Sequence, residues 1–270
     1  MSPASFRGML FAAFLSFLAL PVQAQTIDPD QIQIAPPMRR VPPPSANALP
    51  SDLEKQADAL RAAKQYLDAI DYYQAALAKS PQSFSVSNKL GIAELMLQRF
   101  REAGRNFERA IKENRKFGEA YNNLGVIDYE RRKYGPAIKQ YKKALTLQPD
   151  SASFYSNLGA AYFARKDFEH ATRAYAKAVE LDPQVFERSS HSGVAAQMAS
   201  PEDRAHYDYV VAKLYAKMGD HDHSLEFLRK SMEEGYKDVA HVYTDPEFAD
   251  LRKDTRFAEL MKSKPVALPE

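Results

Sequence analysis

The sequence predicts an all-α protein in which helical hairpins of equal length stack on one another as a solenoid. The first observation is a period of 34 residues that runs through the middle of the chain without a gap. The second is that small and aromatic side chains recur at helical spacing inside each period. The third is composition, since only 10 glycines in 270 residues are few for a glycine-rich α/β enzyme.

The first 24 residues are typical of a secretory signal peptide. Residues 9–20 form a nearly uninterrupted apolar run, Pro21 ends it, and Val22 and Ala24 are small residues at the −3 and −1 positions of a cleavage site. The run is short for a membrane span, which needs about 20 apolar residues, so an uncleaved anchor is the second interpretation. We predict cleavage near Ala24 and an exported protein, either periplasmic or secreted.

Residues 25–50 contain 7 prolines, too many for a helix or a central strand. We predict a proline-rich disordered tether in loose polyproline II conformation; a ligand for a proline-recognition domain is the alternative.

The chain has no cysteine, which excludes disulfides, thiolate nucleophiles and cysteine-bound metals. Stability must therefore come from packing.

Each 34-residue period carries the same small and aromatic residues. The repeated alanines are Ala69, Ala103, Ala137 and Ala171, followed by the aromatic residues Tyr73, Phe107, Tyr141 and Tyr175. The pairs Leu90-Gly91, Leu124-Gly125 and Leu158-Gly159 precede them. This pattern resembles the tetratricopeptide repeat (TPR), and the resemblance covers residues 50–83, 84–117, 118–151 and 152–185. It implies a right-handed α-solenoid of helix–turn–helix units, numbered one to four here.

The remainder of the chain is predicted to extend and close the array. Residues 205–238 match the repeat as a degenerate fifth unit, after an inserted connecting segment at 186–204. Residues 239–270 are predicted to form C-terminal capping helices and a tail. Asp245 and Asp254 each begin a similar short segment and are residues that can cap a helix. Capping helices keep the apolar end of a repeat array soluble.

Signatures of catalysis or cofactor binding are missing from the sequence. There is no phosphate-binding glycine loop, zinc-protease motif or nucleophile elbow. The segment 220–223, Asp-His-Asp-His, could hold a transition metal, but it falls at a predicted turn where polar residues are common. Ser190 and His191 are adjacent in sequence, which rarely produces a nucleophile and its base. We predict no enzymatic activity, no catalytic residue, no metal site and no cofactor.

The resemblance implies that the first helix of each unit lines a concave groove that binds a protein or an extended peptide. The corresponding groove residues are Asn88, Ile92, Asn122, Asn123, Val126, Tyr129, Asn157 and Phe163. A side-chain amide can both donate to and accept from an extended backbone. In the alternative interpretation, the asparagines bond the neighbouring helix. The favoured function is a non-catalytic, exported interaction module.

The distribution of charge supports a second function. Residues 84–151 carry a net charge of +6 and residues 186–270 a net charge of −4. Arg101, Arg105 and Arg109 form a row on the second helix of unit two, softened by Glu102 and Glu108. This row would suit a self-associating or anionic-surface-binding scaffold in the cell envelope, acting through its convex basic face. Nucleic acid is not a predicted partner, because the leader directs the chain out of the cytoplasm.

Overall fold

The computed structural model describes residues 41–186 and 201–263. The predicted signal peptide, the first part of the predicted tether, most of the inserted segment and the C-terminal tail lie outside these residues. Within them, no helix is both long and apolar enough to cross a membrane.

Units one to four each consist of two helices of 13 or 14 residues joined by a short turn. They are α1 (Pro50–Ala62), α2 (Tyr66–Lys79), α3 (Phe84–Met96), α4 (Phe100–Glu113), α5 (Gly118–Glu130), α6 (Tyr134–Leu147), α7 (Ala152–Ala164) and α8 (Phe168–Leu181). The two helices of a unit pack together, and each second helix packs on the first helix of the next unit. The predicted all-α solenoid is confirmed.

A fifth helix pair and a short terminal segment follow. The pair is α9 (Pro201–Met218) and α10 (His221–Glu233), and α9 is longer than the first helices of the other units. Three 3₁₀ turns then cover Val239–Tyr243, Pro246–Phe248 and Leu251–Lys253, and α11 (Thr255–Ser263) ends the described chain.

The glycine in each Leu-Gly pair makes room for the aromatic ring 16 residues later. A Cβ atom built on Gly125 would lie 2.6 Å from Cε1 of Tyr141. The same contact pairs Gly91 with Phe107 and Gly159 with Tyr175. A glycine is therefore needed in α3, α5 and α7, because a side chain at that position would overlap a ring on the second helix.

The turn between the two helices of every unit has the same backbone conformation. Lys64, Gln98, Arg132 and Lys166 have φ between 58° and 61°, and Gly219 has φ 78°. In each case the following amide bonds the carbonyl five residues before it, as Arg99 N does with Glu94 O at 2.9 Å. These are Schellman turns, in which glycine is the preferred residue at the left-handed position. Only the fifth unit uses glycine there.

Replacing Lys64 with glycine is expected to stabilise the protein by about 0.5–1 kcal/mol. A left-handed conformation costs an L-residue roughly 1–2 kcal/mol, and part of this gain is offset by the greater freedom of glycine in the unfolded chain. Lys64 is exposed. The free energy of unfolding from urea denaturation measures the effect. Lys55→Gly in the exposed face of α1 is the control and should destabilise by about 1 kcal/mol. If both substitutions change the free energy of unfolding in the same direction, the left-handed conformation of Lys64 does not cost the expected energy.

The last part of the predicted tether is bound to the first unit rather than free. The Tyr72 hydroxyl donates to the carbonyl of Pro42 at 3.0 Å. Lys79 Nζ donates to the carbonyls of Ala46 and Ala48, each at 2.6 Å. Pro50 belongs to α1, where its missing N–H costs little in the first turn. Residues 41–49 therefore lie against part of unit one, where the sequence predicts a disordered tether, although most of them remain exposed to solvent.

The terminal segment closes the array differently from the predicted pair of capped helices. Asp254 begins α11 and accepts from Arg256 N at 2.9 Å, as predicted. Asp245, by contrast, makes no capping bond, because its carboxylate accepts from the Tyr209 hydroxyl at 2.9 Å and pairs with Lys213 at 2.9 Å. The first half therefore forms 3₁₀ turns, which bury Phe248 and other apolar side chains against the fifth unit.

The first helices of successive units also contact one another directly. Such contacts join α1 to α3, α3 to α5, and α5 to α7. A row of helices that touch in this way lies on the inner side of a curved array. The surface formed by the exposed sides of α1, α3, α5 and α7 is called the inner face below.

Candidate binding groove

The eight predicted groove residues lie on α3, α5 and α7, but they differ in exposure. Ile92, Asn123, Val126 and Asn157 are half-buried and present part of their side chains on the inner face. The other four are buried, with exposed fractions of 2% for Asn88, 8% for Asn122, 7% for Tyr129 and 2% for Phe163. A bound peptide can reach the first set without a rearrangement of the fold.

The four asparagines form one chain of amide hydrogen bonds across three units. Asn157 Nδ2 donates to Asn122 Oδ1 at 3.0 Å, and Asn122 Nδ2 donates to Asn123 Oδ1 at 3.3 Å. Asn123 Nδ2 then donates to Asn88 Oδ1 at 2.9 Å. The bonds join α7 to α5 and α5 to α3, so the asparagines do bond the neighbouring helix. Each amide has two N–H groups and an oxygen with two lone pairs, so Asn123 keeps an N–H and a lone pair for a ligand.

An ionic contact continues this chain into unit one. Lys89 Nζ lies 2.8 Å from Glu54 Oε1 and 2.6 Å from Asp58 Oδ2. Burial acts to lower the pKa of Lys89, but hydrogen bonds to the two carboxylates outweigh it and the pKa is raised. Burial likewise acts to raise the pKa of Asp58, and the hydrogen bonds from Lys89 and Tyr73 bring it below its usual value. Lys89 is therefore protonated, and the carboxylates of Glu54 and Asp58 balance its positive charge.

These contacts follow one rule along the array. The residues that bond across units are 35 positions apart in sequence for Glu54–Lys89, Asn88–Asn123 and Asn122–Asn157. At the end of the array, Tyr209 and Asp245 bond at a separation of 36. The terminal segment thus supplies to unit five the contact that a further unit would supply. A search of the sequence for polar pairs 35 residues apart would have found Glu54 with Lys89, a pair that the groove prediction missed.

Apolar side chains lie beside the amide chain on the inner face. Ile92, Leu95 and Val126 are half-buried, and Met96 is 49% exposed. Half-buried Glu130 lies on the same helix as Val126, and burial raises the pKa of its carboxyl. We call the four apolar residues the apolar strip; an exposed methionine can adapt to differently shaped apolar partners.

Tyr129 and Phe163 support this face from within. Phe163 packs edge-on against Phe168, with ring centroids 5.1 Å apart, and against His206 at 5.2 Å. Tyr129 packs against Tyr134 at 5.3 Å. Both rings are predominantly core residues, and they offer little surface to a ligand.

The arginine row on α4 is mostly engaged in local contacts. Arg109 Nη2 donates to the carbonyl of Pro81 at 2.5 Å, and Arg105 Nη2 lies 3.4 Å from Glu102 Oε1. Arg101 is exposed. Arg105 is thus paired with a carboxylate, whereas the bond of Arg109 to a carbonyl orients its guanidinium without neutralising it.

The Asp-His-Asp-His segment begins the second helix of unit five. Asp220 accepts from the backbone N–H of His223 at 3.2 Å, and its other oxygen lies 2.5 Å from Nδ1 of the same histidine. Asp222 pairs with Arg256 at 2.5 Å. Across residues 41–186 and 201–263, no group of three or more acidic or histidine side chains is arranged to hold a metal ion. The adjacent pair Ser190 and His191 lies outside the described residues.

Comparison with protein families finds one repeat family along the chain. Models described as tetratricopeptide repeat match residues 54–113, 88–135, 152–185 and 209–234, and a model described as TPR repeat matches residues 127–165. No curated protein sequence is significantly similar to this chain.

Several solved structures are similar in fold. A thermophilic TPR protein of Thermus thermophilus is 21% identical, and the match covers 79% of this chain and 99% of that one with a TM-score of 0.49. MamA from Desulfovibrio magneticus is 17% identical over 74% and 100% of the two chains, with a TM-score of 0.49. YrrB, a TPR protein with an unusual peptide-binding site, is 17% identical over 71% and 89%, with a TM-score of 0.45. At such identities the likeness concerns the fold alone.

Proposed function

The chain belongs to the tetratricopeptide repeat family, and from this premise we propose that it is a non-catalytic, exported module that holds an extended protein segment on its inner face. Proteins of this family are generally non-catalytic and generally bind proteins or peptides. Export rests on the sequence of residues 1–24. The finer proposal, binding on the inner face, rests on the arrangement of α3, α5 and α7.

The observation that carries this proposal is the apolar strip beside amides with free hydrogen-bonding capacity. Ile92 and Val126 are only half-buried although both are β-branched apolar residues, so a partner that covers them gains hydrophobic free energy. Asn123 and Asn157 lie on the same face and can bond the partner's backbone. A surface of this kind binds an extended chain through its backbone and selects apolar side chains at a few positions.

The size of the surface fits a short segment. Packed helices lie about 8–10 Å apart, so the face from α3 to α7 spans about 20 Å. An extended chain rises about 3.3 Å per residue, which corresponds to roughly six residues. The ionic contact of Lys89 with Glu54 and Asp58 closes the surface at one end, and the pairing of Lys213 with Asp245 occupies the inner side of unit five.

Replacing both Ile92 and Val126 with glutamate is expected to weaken peptide binding strongly. The charges would remain hydrated and would prevent an apolar side chain from covering the strip. Peptides of twelve residues are first selected from a random phage-displayed library on the immobilised protein, and their Kd values are then measured by fluorescence anisotropy. We expect a loss of roughly tenfold or more for the double variant. Asn123→Ala should weaken binding by roughly two- to twelvefold, the value of one neutral hydrogen bond.

Two measurements separate binding from folding. Thr146→Glu places a charge on the exposed side of α6 and should leave the affinity unchanged. Circular dichroism should show equal helicity in all variants, because the substituted strip residues are only half-buried. If selected peptides bind the Ile92→Glu/Val126→Glu protein as tightly as the unmodified one, the inner face is not the binding site.

A further inference from the structure

A dense cationic surface covers the outer side of unit three. The thirteen residues 131–143 contain six lysines and arginines and no carboxylate. They are Arg131, Arg132, Lys133, Lys139, Lys142 and Lys143, all of them exposed. The first three lie at the turn after α5, and on α6 Lys139 lies three residues before Lys142 and four before Lys143, so it is a surface neighbour of each. We call these six residues the cationic surface.

None of these six residues forms an ion pair with a residue that the structure describes. Their contacts are with aromatic rings instead. Lys142 Nζ lies 5.5 Å from the ring centre of Tyr162, and Lys143 Nζ lies 5.9 Å from that of Tyr121. A ring attracts a cation but does not neutralise it, so Lys142 and Lys143 keep their charge, whereas Asp128 beside the turn partly offsets the charges of Lys133 and Arg131. The arginine row on α4 differs, because Arg105 there pairs with a carboxylate.

The opposite charge lies at the other end of the same molecule. The groove between α10 and α11 has Leu225 and Leu260 at its base and four carboxylates at its edges, accompanied by Arg229 and Arg256. Two of the carboxylates pair within the chain, Asp222 with Arg256 and Glu226 with Lys230. The other two, Glu233 and Glu259, are exposed and form no ion pair with any described residue. We call this groove the acidic groove.

We propose that the cationic surface of one copy of this chain binds the acidic groove of a second copy. Unit four and the start of unit five separate the two surfaces along one chain, so a single molecule does not bring them together. Each surface has a net charge of opposite sign, and complementary charges set partner choice and association rate. The apolar base of the groove supplies area to bury. This interaction uses the outer side of the array and is independent of peptide binding on the inner face.

The contact joins two different surfaces, so its geometry differs from that of a symmetric dimer. A head-to-tail contact leaves one free cationic surface and one free acidic groove on every assembly. Such contacts extend into open chains or close into rings. The assembly should therefore grow beyond two copies as protein concentration rises, and it should weaken as salt screens the charges.

The test uses the purified full chain and three double variants. Lys139→Glu/Lys143→Glu lowers the net charge of the six residues of the cationic surface from +6 to +2, and Glu233→Lys/Glu259→Lys reverses the charge of the acidic groove. Arg101→Glu/Arg105→Glu is the matched control, because it changes the total charge by the same amount as the first variant at another place on the outer side. Sedimentation velocity measures assembly size over a hundredfold range of protein concentration at about 0.05 M and about 0.5 M NaCl.

We expect the unmodified chain and the control to assemble beyond two copies at low salt, with a roughly tenfold or greater weakening at high salt. Each of the other two variants should be monomeric alone. Mixed together they should associate again, because the first variant keeps its acidic groove and the second keeps its cationic surface. A monomeric unmodified chain, an assembly insensitive to salt, or a mixture that stays monomeric would overturn the proposal. So would a monomeric chain that binds vesicles of anionic lipid through Lys139 and Lys143.

Discussion

Replacing Asp208 with asparagine is expected to stabilise the protein by up to about 4 kcal/mol at pH 8 and to change little near pH 4. Asp208 lies on α9 and is 8% exposed. Its position corresponds to Leu53, Ser87, Tyr121 and Tyr155 in the other units, and the first two are likewise buried. An aspartate in this position is buried, and no hydrogen bond to its carboxylate is present among the described residues.

The environment of Asp208 disfavours its charged form. Burial raises the pKa of its carboxyl from 3.8 to about 7. The carboxylates of Glu234, which directly follows α10, and of Glu226 on α10 act in the same direction, whereas Lys230 and Arg204 partly oppose them. Since each pKa unit corresponds to about 1.36 kcal/mol, ionised Asp208 costs about 4 kcal/mol in the folded state.

The sign of the pH dependence follows from proton binding. Between pH 3.8 and about 7, the folded protein holds a proton on Asp208 that the unfolded chain has released. Stability therefore falls as pH rises through this window. Above it the carboxylate is ionised in both states and the full cost is present; below it both states are protonated and the cost disappears. The asparagine amide is neutral throughout and removes the dependence.

Urea denaturation at several pH values, followed by circular dichroism, measures this effect. The free energy of unfolding of Asp208→Asn should exceed that of the unmodified protein at pH 8, and the difference should shrink towards pH 4. Asp238→Asn is the control, because Asp238 is exposed in the same unit and its substitution should change stability by less than about 0.5 kcal/mol. A stability difference that is the same at both pH values would refute the assignment of the cost to ionised Asp208.

The helix pairs could be predicted from the sequence because their packing depends on residues at short, fixed separations. Gly125 and Tyr141 are 16 positions apart and meet within one unit, so the period of the sequence is also the period of the contacts. The left-handed turns share this period, but they carry Lys, Gln and Arg. The residue types therefore did not predict the left-handed conformation, because the surrounding helices impose on these residues a conformation that their side chains do not favour.

The contacts between units were harder to predict from the sequence. Asn123 occupies an equivalent position to Asn157, which suggested equivalent roles towards a ligand, but each bonds the unit before it. Which atoms meet depends on the stacking of helices, and the sequence alone leaves both interpretations open. The same holds for residues 41–49, whose proline content indicates the absence of a helix but says nothing about the bonds their carbonyls accept from Tyr72 and Lys79.

Gly125→Ala is expected to destabilise the protein by about 1–3 kcal/mol, although alanine is the better helix former by about 1 kcal/mol. The new methyl group would lie 2.6 Å from Cε1 and 2.8 Å from Cδ1 of Tyr141. The ring is fully buried and has little room to move, so α5 and α6 must separate or the ring must leave its favoured rotamer.

Two further variants test whether this contact is the cause. Gly104→Ala in α4 places its methyl group 3.8 Å from Cδ1 of Ile127, an ordinary van der Waals distance, and should stabilise by about 0.5–1 kcal/mol. Unit five carries Ala212 and Leu228 at the positions of Gly125 and Tyr141, so Gly125→Ala/Tyr141→Leu should be more stable than the sum of the two single changes indicates. Urea denaturation at one pH gives all the free energies of unfolding. If Gly125→Ala stabilises as much as Gly104→Ala does, the glycine is not required by the ring, and the packing derived for units two to four is incorrect.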